Sequence, residues 1–509
     1  MIKHDHLLAD CSGVNNPLDR PLLLSSAYEA STLDNDCACP DRALRLTFDN
    51  GLIELDTDCA CPDGALRLMP NAVTPTNFVQ TPTTHVQSLT PVHHLVLSPF
   101  APGGPSVMNQ ASWQRWNEFK QPQPLREAID FQLAEQALLH PAQDSYHPRY
   151  TEPETLTAWL HVTNACNLDC PYCYVRKSSA AMSEKTGGQA IRRVLETARQ
   201  HGFKRAKLKY AGGEATLQFD LVRRLHEMAH NYAQDLGIGL REVVLSNGVR
   251  ISPVMADWFA ETQVKLMISL DGVGAIHDRQ RPTRGGRGTF QQIEHSVDHI
   301  LLPVGVRPDI SITLTGLNAA GAGDAVRWAL DRHLSVSLNF YRQNPLSLSR
   351  TELDLEEKTI IDGMLSAYGV FEEILPEGPF LDGLLDRVQM AAHAHTCGVQ
   401  HSYVVVTHEG KLAQCQMHLD QTLGPATTGD LLPLISTGPI RNVTVDEKEG
   451  CRDCEYRYRC TGGCPLETYR ATGRWDIKSP HCHIYKTLLP VALRLEGLRL
   501  LKTHGLLPS

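Results

Sequence analysis

Between residues 155 and 345 the chain alternates two hydrophobic periods. Short β-rich runs (AWLHV, KLKYAG, REVVLS, VKLMISL, DISITL and VSLNF) are separated by longer amphipathic stretches such as GQAIRRVLETARQH and FQQIEHSVDHILL. Strand and helix periods alternating at this spacing predict βα units around a parallel sheet. Six units suit a partial (β/α)6 barrel better than a complete eight-strand one, and the chemistry of such folds collects at the C-terminal ends of the strands. The fold class expected is therefore α/β.

The flanks follow other patterns. Residues 70–86 (PNAVTPTNFVQTPTTHV) are rich in Pro, Thr and Asn and are expected to be a linker that closes an N-terminal extension, residues 1–86. Residues 87–150 offer the strand-like run HHLVL and the helical patterns WQRWNEF and PLREAIDFQLAEQALL, which predict a small helical or winged-helix-like unit; together these make an α+β extension before the barrel, residues 151–345. After it, residues 346–390 read as a helical connector, 391–490 as a second, Cys-rich domain and 491–509 as a C-terminal tail. One repeat stands out: DNDCACPDRALRL at 34–46 recurs as DTDCACPDGALRL at 56–68, differing only at Asn35/Thr57 and Arg42/Gly64. Two units are too few for a solenoid.

Composition narrows the class of function. The 509 residues exceed the ~250–300 at which one core stops growing, so two or three domains are expected. With 42% hydrophobic and 21% charged residues the chain is neither mainly disordered nor a coiled coil. Lys+Arg number 48 against 57 Asp+Glu, a formal charge of -9, so nothing in the bulk electrostatics calls for nucleic acid or an anionic membrane as partner. The first residues carry charges where a signal peptide is apolar, and no 18-residue apolar run follows. The cytoplasm is the compartment expected. There the 15 cysteines read as metal ligands or catalysts rather than as disulfides.

Directly after the first strand comes Cys166-Asn-Leu-Asp-Cys170-Pro-Tyr-Cys173, a CxxxCxxC loop. Three thiolates on one loop can hold three corners of a [4Fe–4S] cubane and leave the fourth iron open to a chelating substrate; zinc would want a fourth ligand nearby. With Tyr172 before the third cysteine, the loop resembles the signature of the radical S-adenosylmethionine (radical SAM) superfamily. Further motifs of that superfamily follow in order. Gly212-Gly213-Glu214 resembles the segment that receives the methionine ammonium of SAM, its glycines letting backbone approach the ligand closely. Ser246-Asn247-Gly248 matches the turn after the next strand. Ser269-Leu-Asp271-Gly272, with Arg281 beyond, resembles the segment in which Ser269 would hydrogen-bond the cofactor and Arg281 its carboxylate. The resemblance implies reductive cleavage of SAM by the cluster and abstraction of a hydrogen atom from an unactivated carbon by the 5′-deoxyadenosyl radical, with a flavodoxin or ferredoxin as electron donor.

The last seven cysteines resemble the SPASM domain, which binds auxiliary [4Fe–4S] clusters in enzymes that modify peptides and proteins. By that family arrangement Cys451, Cys454, Cys460 and Cys482 close one cluster and Cys397, Cys415 and Cys464 the other, which with the radical cluster makes one plus two. The second set lacks a fourth cysteine, so its fourth ligand is expected to be a substrate thiolate, His393 or His395, or an N-terminal cysteine. The resemblance implies two classes of work. Peptide maturases install thioether or other crosslinks in ribosomally made peptides; sulfatase maturases convert a cysteine or serine to formylglycine, with an aspartate after the cysteine that matches Cys415. Here that position is Gln416, and an amide cannot accept the proton. Peptide maturation is the reading preferred, sulfatase maturation the alternative, with His418 or Asp420 to take the base's place. A non-catalytic, cluster-bearing scaffold that only binds a peptide is the alternative of another class.

Overall fold

A computed structural model describes residues 20–26, 77–143 and 153–507, together with the paths of strands Arg45–Phe48 and Pro148–Thr151. The cysteines of the CACP repeats and Cys11 lie outside the described residues.

All six β-rich runs become strands. They are β1 (Thr155–Thr163), β2 (Arg205–Gly212), β3 (Gly239–Ser246), β4 (Lys265–Ser269), β5 (Asp309–Leu314) and β6 (Val336–Phe340), each paired in parallel with the next. Along β1, Leu156, Ala158, Leu160 and Val162 enter the main core, while Trp159 packs on the opposite face with Ala211 and Tyr403. A strand buried on both faces is what a parallel sheet covered by helices demands. The helices α1 (Glu184–Gln200), α2 (Phe219–Leu236), α3 (Pro253–Thr262), α4 (Ala322–Leu330) and α5 (Glu357–Ile374) form the outer layer. In α1 the Ser183 side chain accepts the Thr186 N–H, and Ala190, Ile191, Val194, Leu195 and Ala198 are buried at helical spacing. Because the strands run the same way, the loops after β1 to β6 meet at one rim.

The sheet does not stop at six strands. β7 (Tyr403–Val406) pairs in parallel with β1, placing Tyr403 opposite Thr157, and β8 (Lys411–Ala413) and β9 (Thr422–Pro425) add antiparallel strands beyond it. The Cys-rich segment expected to be a separate domain therefore extends the barrel's own sheet.

Two boundaries differ from expectation. Within the stretch expected to be a linker, Asn77–Gln80 and His85–Thr90 are strands, and Phe78 is buried against Trp116 and Leu139. Their short apolar alternation outweighs the Pro and Thr around them. They join a four-stranded sheet and a three-stranded sheet that carry the helices Gln110–Glu118 and Ala128–Glu135. Residues 491–503 are not a tail: α6 (Cys482–Thr503) runs through them, and its buried Leu500 and Leu501 pack on Leu24 and Val107 of the N-terminal sheet. An apolar helix of this length is stable only when covered. Among the described residues no helix is long and apolar enough to cross a membrane.

Candidate active site

The rim after β1 carries the three cysteines. The loop is pinned by the Asp169 N–H donating to Pro282 O (2.8 Å) and by the Cys173 N–H donating to Cys170 O (3.2 Å). Burial pushes the Cys170 thiol up to about 12, with Cys173 and Cys166 adding to the rise, and burial raises Cys166 as well. Three thiols on one short loop are a donor set that fits an iron–sulfur cluster.

Gly212 and Gly213 let two strand ends meet. A Cβ on Gly212 would stand 2.3 Å from Thr163 O, and one on Gly213 2.4 Å from Ala165 O. The close approach is between the ends of β2 and β1, sealed by the Gly213 N–H donating to Thr163 O (2.7 Å) and the Glu214 N–H to Ala165 O (2.8 Å). The glycines thus bring Glu214 up against the cysteine loop. Glu214 is buried; its Oε1 accepts from Thr216 Oγ1 (2.6 Å), Thr216 N (3.1 Å) and Ser246 Oγ (2.8 Å), and its Oε2 from Asn247 N (2.6 Å). Asn247 reaches onward, its Nδ2 donating to Asn167 Oδ1 at 2.8 Å and standing 4.0 Å from Cys166 Sγ. Both oxygens are positioned by donors, three on Oε1 and one on Oε2.

Tyr172, Asp271 and Arg281 form a triad in which Asp271 and Arg281 are buried and Tyr172 is half-buried. The Tyr172 hydroxyl donates to Asp271 Oδ2 (2.5 Å), and Arg281 Nη1 contacts both the Tyr172 oxygen and Asp271 Oδ2 (3.2 Å). Asp271 Oδ1 accepts the Thr313 N–H at 2.8 Å. Burial opposes the charge on Arg281, but Tyr172, Cys170 and Asp271 hold its pKa above the ordinary value. Arg281 Nη1 is thus engaged within the protein, and Nε is buried without a partner among the described residues. Ser269 ends β4, half-buried, on the same rim.

The C-terminal cysteines fall into two sets in space. Cys451, Cys454, Cys460 and Cys482 line one cavity, with Lys478 and Lys486 beside it. Cys397, Cys415 and Cys464 gather in a separate cluster around Trp159 and Tyr403; burial and the neighbouring thiols push Cys397 up to about 11 and Cys415 up to about 12. Four thiols and three thiols are donor sets that iron–sulfur clusters use. Among the described residues no fourth cysteine joins the second set. His393 and His395 are both buried, not solvated: His393 pairs with Ala391 O (3.0 Å) and Thr461 Oγ1 (3.5 Å), and His395 with Asn442 O (2.7 Å) while its ring packs 4.3 Å from His401.

The sequence family model of the radical SAM superfamily matches residues 160–320. Residues 160–320 are thus a radical SAM domain. A radical SAM domain implies S-adenosylmethionine and a [4Fe–4S] cluster as cofactors. The uncharacterized protein MJ0907 of Methanocaldococcus jannaschii is 32% identical over 130 residues, 25% of this chain and 42% of that protein's length. The cysteine-type anaerobic sulfatase-maturating enzyme of Clostridium perfringens is 21% identical over 328 residues, 59% of this chain and 86% of its own. Native anSMEcpe with bound AdoMet superposes with a TM-score of 0.57 at 19% identity, covering 68% of this chain and 99% of that one, which shows a shared fold.

In this radical SAM protein an open, polar pocket of about 350 Å³ lies between the cysteine loop and the turn after Cys415. Its wall combines His161 with Tyr174–Arg176 and with Gln416–Thr422, and Arg470 closes one side. Gln416 is locked by the Tyr403 hydroxyl, which donates to its Oε1 at 2.9 Å. His418 faces the pocket with its pKa lowered by burial and then by Arg470; Asp420 is exposed and pairs with Arg176 at 3.3 Å. His161, which sequence reasoning passed over, is buried, bonded to Asn164 Oδ1 (2.7 Å), and burial lowers its pKa to about 4. The period-two alternation of AWLHV, which puts Trp159 and His161 on the face opposite Leu160, is the signal that could have found it.

Proposed function

We propose that this chain is a maturase of ribosomally made peptides that joins a cysteine sulfur to an unactivated carbon as a thioether. The observation that carries the reading is the place of the polar pocket. It opens where Tyr174–Arg176, just past Cys173, face Gln416–Thr422, just past Cys415, so a peptide side chain seated there meets the segments that follow one cysteine of the proposed radical cluster and one of the proposed auxiliary cluster. When bound, SAM and its cluster supply the one-electron cleavage and the hydrogen-atom abstraction.

The chain's own residues do the rest. Glu214 and Arg281 orient SAM, with Ser269 and Asn247 beside them, and Tyr172 and Asp271 hold Arg281. A set of three cysteines leaves one iron of the first auxiliary cluster for a substrate thiolate, and soft iron suits sulfur. The second auxiliary cluster takes Cys451, Cys454, Cys460 and Cys482. With Gln416 bonded to Tyr403 and unable to act as base, His418 is the group placed to accept a proton, and Arg470 offers its charge to the peptide. A flavodoxin or ferredoxin supplies electrons.

Formylglycine formation is the second reading, supported by the likeness to a sulfatase-maturating enzyme over 86% of that enzyme's length. Anaerobic, reconstituted and reduced protein is incubated with SAM and either the short peptide encoded beside it or a sulfatase segment. Formation of 5′-deoxyadenosine that disappears in a Cys166/Cys170/Cys173→Ala variant is expected; none in the parent protein would leave only the scaffold reading. A product that has lost two hydrogens and a free thiol supports the thioether. A product that reacts as an aldehyde supports formylglycine instead.

A further inference from the structure

The outer face of the barrel, away from the rim, carries a cluster that the proposed reaction does not use. His226 and His230 stand four residues apart on α2, so their rings leave the same side of the helix. Beneath them is Glu242 on β3. His226 Nδ1 lies 2.7 Å from Glu242 Oε2, and His230 Nε2 lies 3.5 Å from the same oxygen. The two rings are 4.5 Å apart at the centroids.

Glu242 is set for this arrangement. Its other oxygen, Oε1, accepts the hydroxyl of fully buried Tyr210 at 2.6 Å. The phenol therefore takes one oxygen and leaves Oε2 to the two imidazoles. The Glu242 side chain is 3% exposed, and among the described residues no Lys or Arg pairs with it. A buried carboxylate in that position is costly unless a cation meets it. One candidate is a proton shared with His226; the other is a metal ion bound to all three side chains.

We propose that His226, His230 and Glu242 form a binding site for one divalent zinc-like ion, with a fourth position open to solvent. One ligand atom from each residue falls within 4.8 Å of the others. Donors around a tetrahedral zinc, with bonds of about 2.0–2.2 Å, stand about 3.3 Å apart, and the observed 2.7 and 3.5 Å bracket that spacing. Two imidazoles and one carboxylate form a donor set typical of zinc, and the Tyr210 hydroxyl orients the carboxylate as an outer partner should. The Trp258 edge fixes the His226 ring at 5.3 Å. His230 is 60% exposed and gives the ion its way in.

The ion would tie α2 to β3. Those elements frame Glu214: α2 follows the turn that begins at Glu214, and β3 ends at Ser246, which donates to it. The site shares no residue with the cysteine sets at 166–173 and 397–482.

Cluster-loaded protein, passed over chelating resin and titrated anaerobically with Zn²⁺ by calorimetry, is expected to bind one ion per chain with micromolar or tighter affinity. Loss even of an outer partner weakens metal sites about 10–100-fold, so His230→Ala, an exposed substitution that leaves the core intact, should weaken binding at least about a hundredfold. Glu242→Gln should do the same. X-ray absorption at the zinc edge should show nitrogen and oxygen neighbours without sulfur. Binding of zinc by His230→Ala as tightly as by the parent, sulfur at the zinc, or no zinc bound by the parent at 100 μM free ion (about 5.5 kcal/mol, beyond the reach of a weaker site) would each overturn the assignment.

Discussion

Glu214 shows how much of the site rests on single atoms. Four donors converge on its carboxylate from Thr216, Ser246 and Asn247, so Glu214→Gln turns one acceptor into an NH2 that meets the Asn247 N–H or the Ser246 hydroxyl head on. A buried donor left without a partner costs about 1–3 kcal/mol. Equilibrium dialysis should therefore show SAM affinity down roughly tenfold or more, with thermal unfolding shifted only modestly; unchanged affinity would remove Glu214 from the SAM site. His161 carries a pH prediction. Its folded pKa, lowered by burial to about 4 from the ordinary 6.5, means that below pH 6.5 the unfolded chain binds the proton that the folded chain refuses. The stability this group contributes is present above pH 6.5 and is lost as pH falls toward 4, up to about 3 kcal/mol in all. Denaturant titrations at pH 7 and pH 5 should show a smaller loss in His161→Asn than in the parent. The cysteines and the Gly-Gly-Glu turn were legible in the sequence because their chemistry is written in short spacings. His161 was not, because its meaning depends on which face of β1 is closed.

At the scale of elements, the six barrel strands were legible because each is a short run rich in β-branched and aliphatic residues set between longer amphipathic stretches. The continuation of the sheet through β7, β8 and β9 was not, since pairing between Thr157 and Tyr403 spans a separation that no local pattern records. The same long-range folding places Lys448 where no spacing rule would look. It is buried, donates from Nζ to Thr461 O at 2.7 Å, and has its pKa lowered by burial yet supported by Cys451 and Cys460 of one set and Cys397 and Cys464 of the other. A unit charge several ångströms away in a medium of effective dielectric about 20 is worth on the order of 2 kcal/mol, or roughly 100 mV for one electron. Lys448→Met should accordingly lower the midpoint potential of at least one auxiliary centre by tens of millivolts, read by potentiometric titration with electron paramagnetic resonance, without changing the iron content. Unshifted potentials would mean that the ammonium is screened from both sets.

At the scale of the whole molecule, the first described strand and the last helix close on each other. Glu496 of α6 is fully buried and accepts from Arg499 at 2.6 and 2.9 Å and from the Ser26 hydroxyl at 2.8 Å. Residues 491–503 are charged and apolar in turn, which reads as a solvated tail until the N-terminal sheet is set against them. That sheet was itself partly hidden in a Pro- and Thr-rich stretch. The last helix and the N-terminal sheet cover each other: Leu500 and Leu501 share an apolar cluster with Leu24, Val107 and Leu89 of the strand His85–Thr90, and the Ser26–Glu496 bond ties positions 470 residues apart in sequence. Glu496→Leu leaves the Arg499 guanidinium buried without its carboxylate, and breaking a buried pair in this way costs about 3–5 kcal/mol. The variant should unfold at a distinctly lower denaturant concentration, and residues 77–143 should become the first part cut by limited proteolysis. Adding Arg499→Met replaces the orphaned charge with apolar volume and should restore most of the loss, because an ion pair exchanged for well-packed hydrophobic groups is often neutral or stabilising. Should the double variant stay as unstable as the single one, the contact would act through the Ser26 hydrogen bond instead, and Ser26→Ala alone would then reproduce the proteolytic opening.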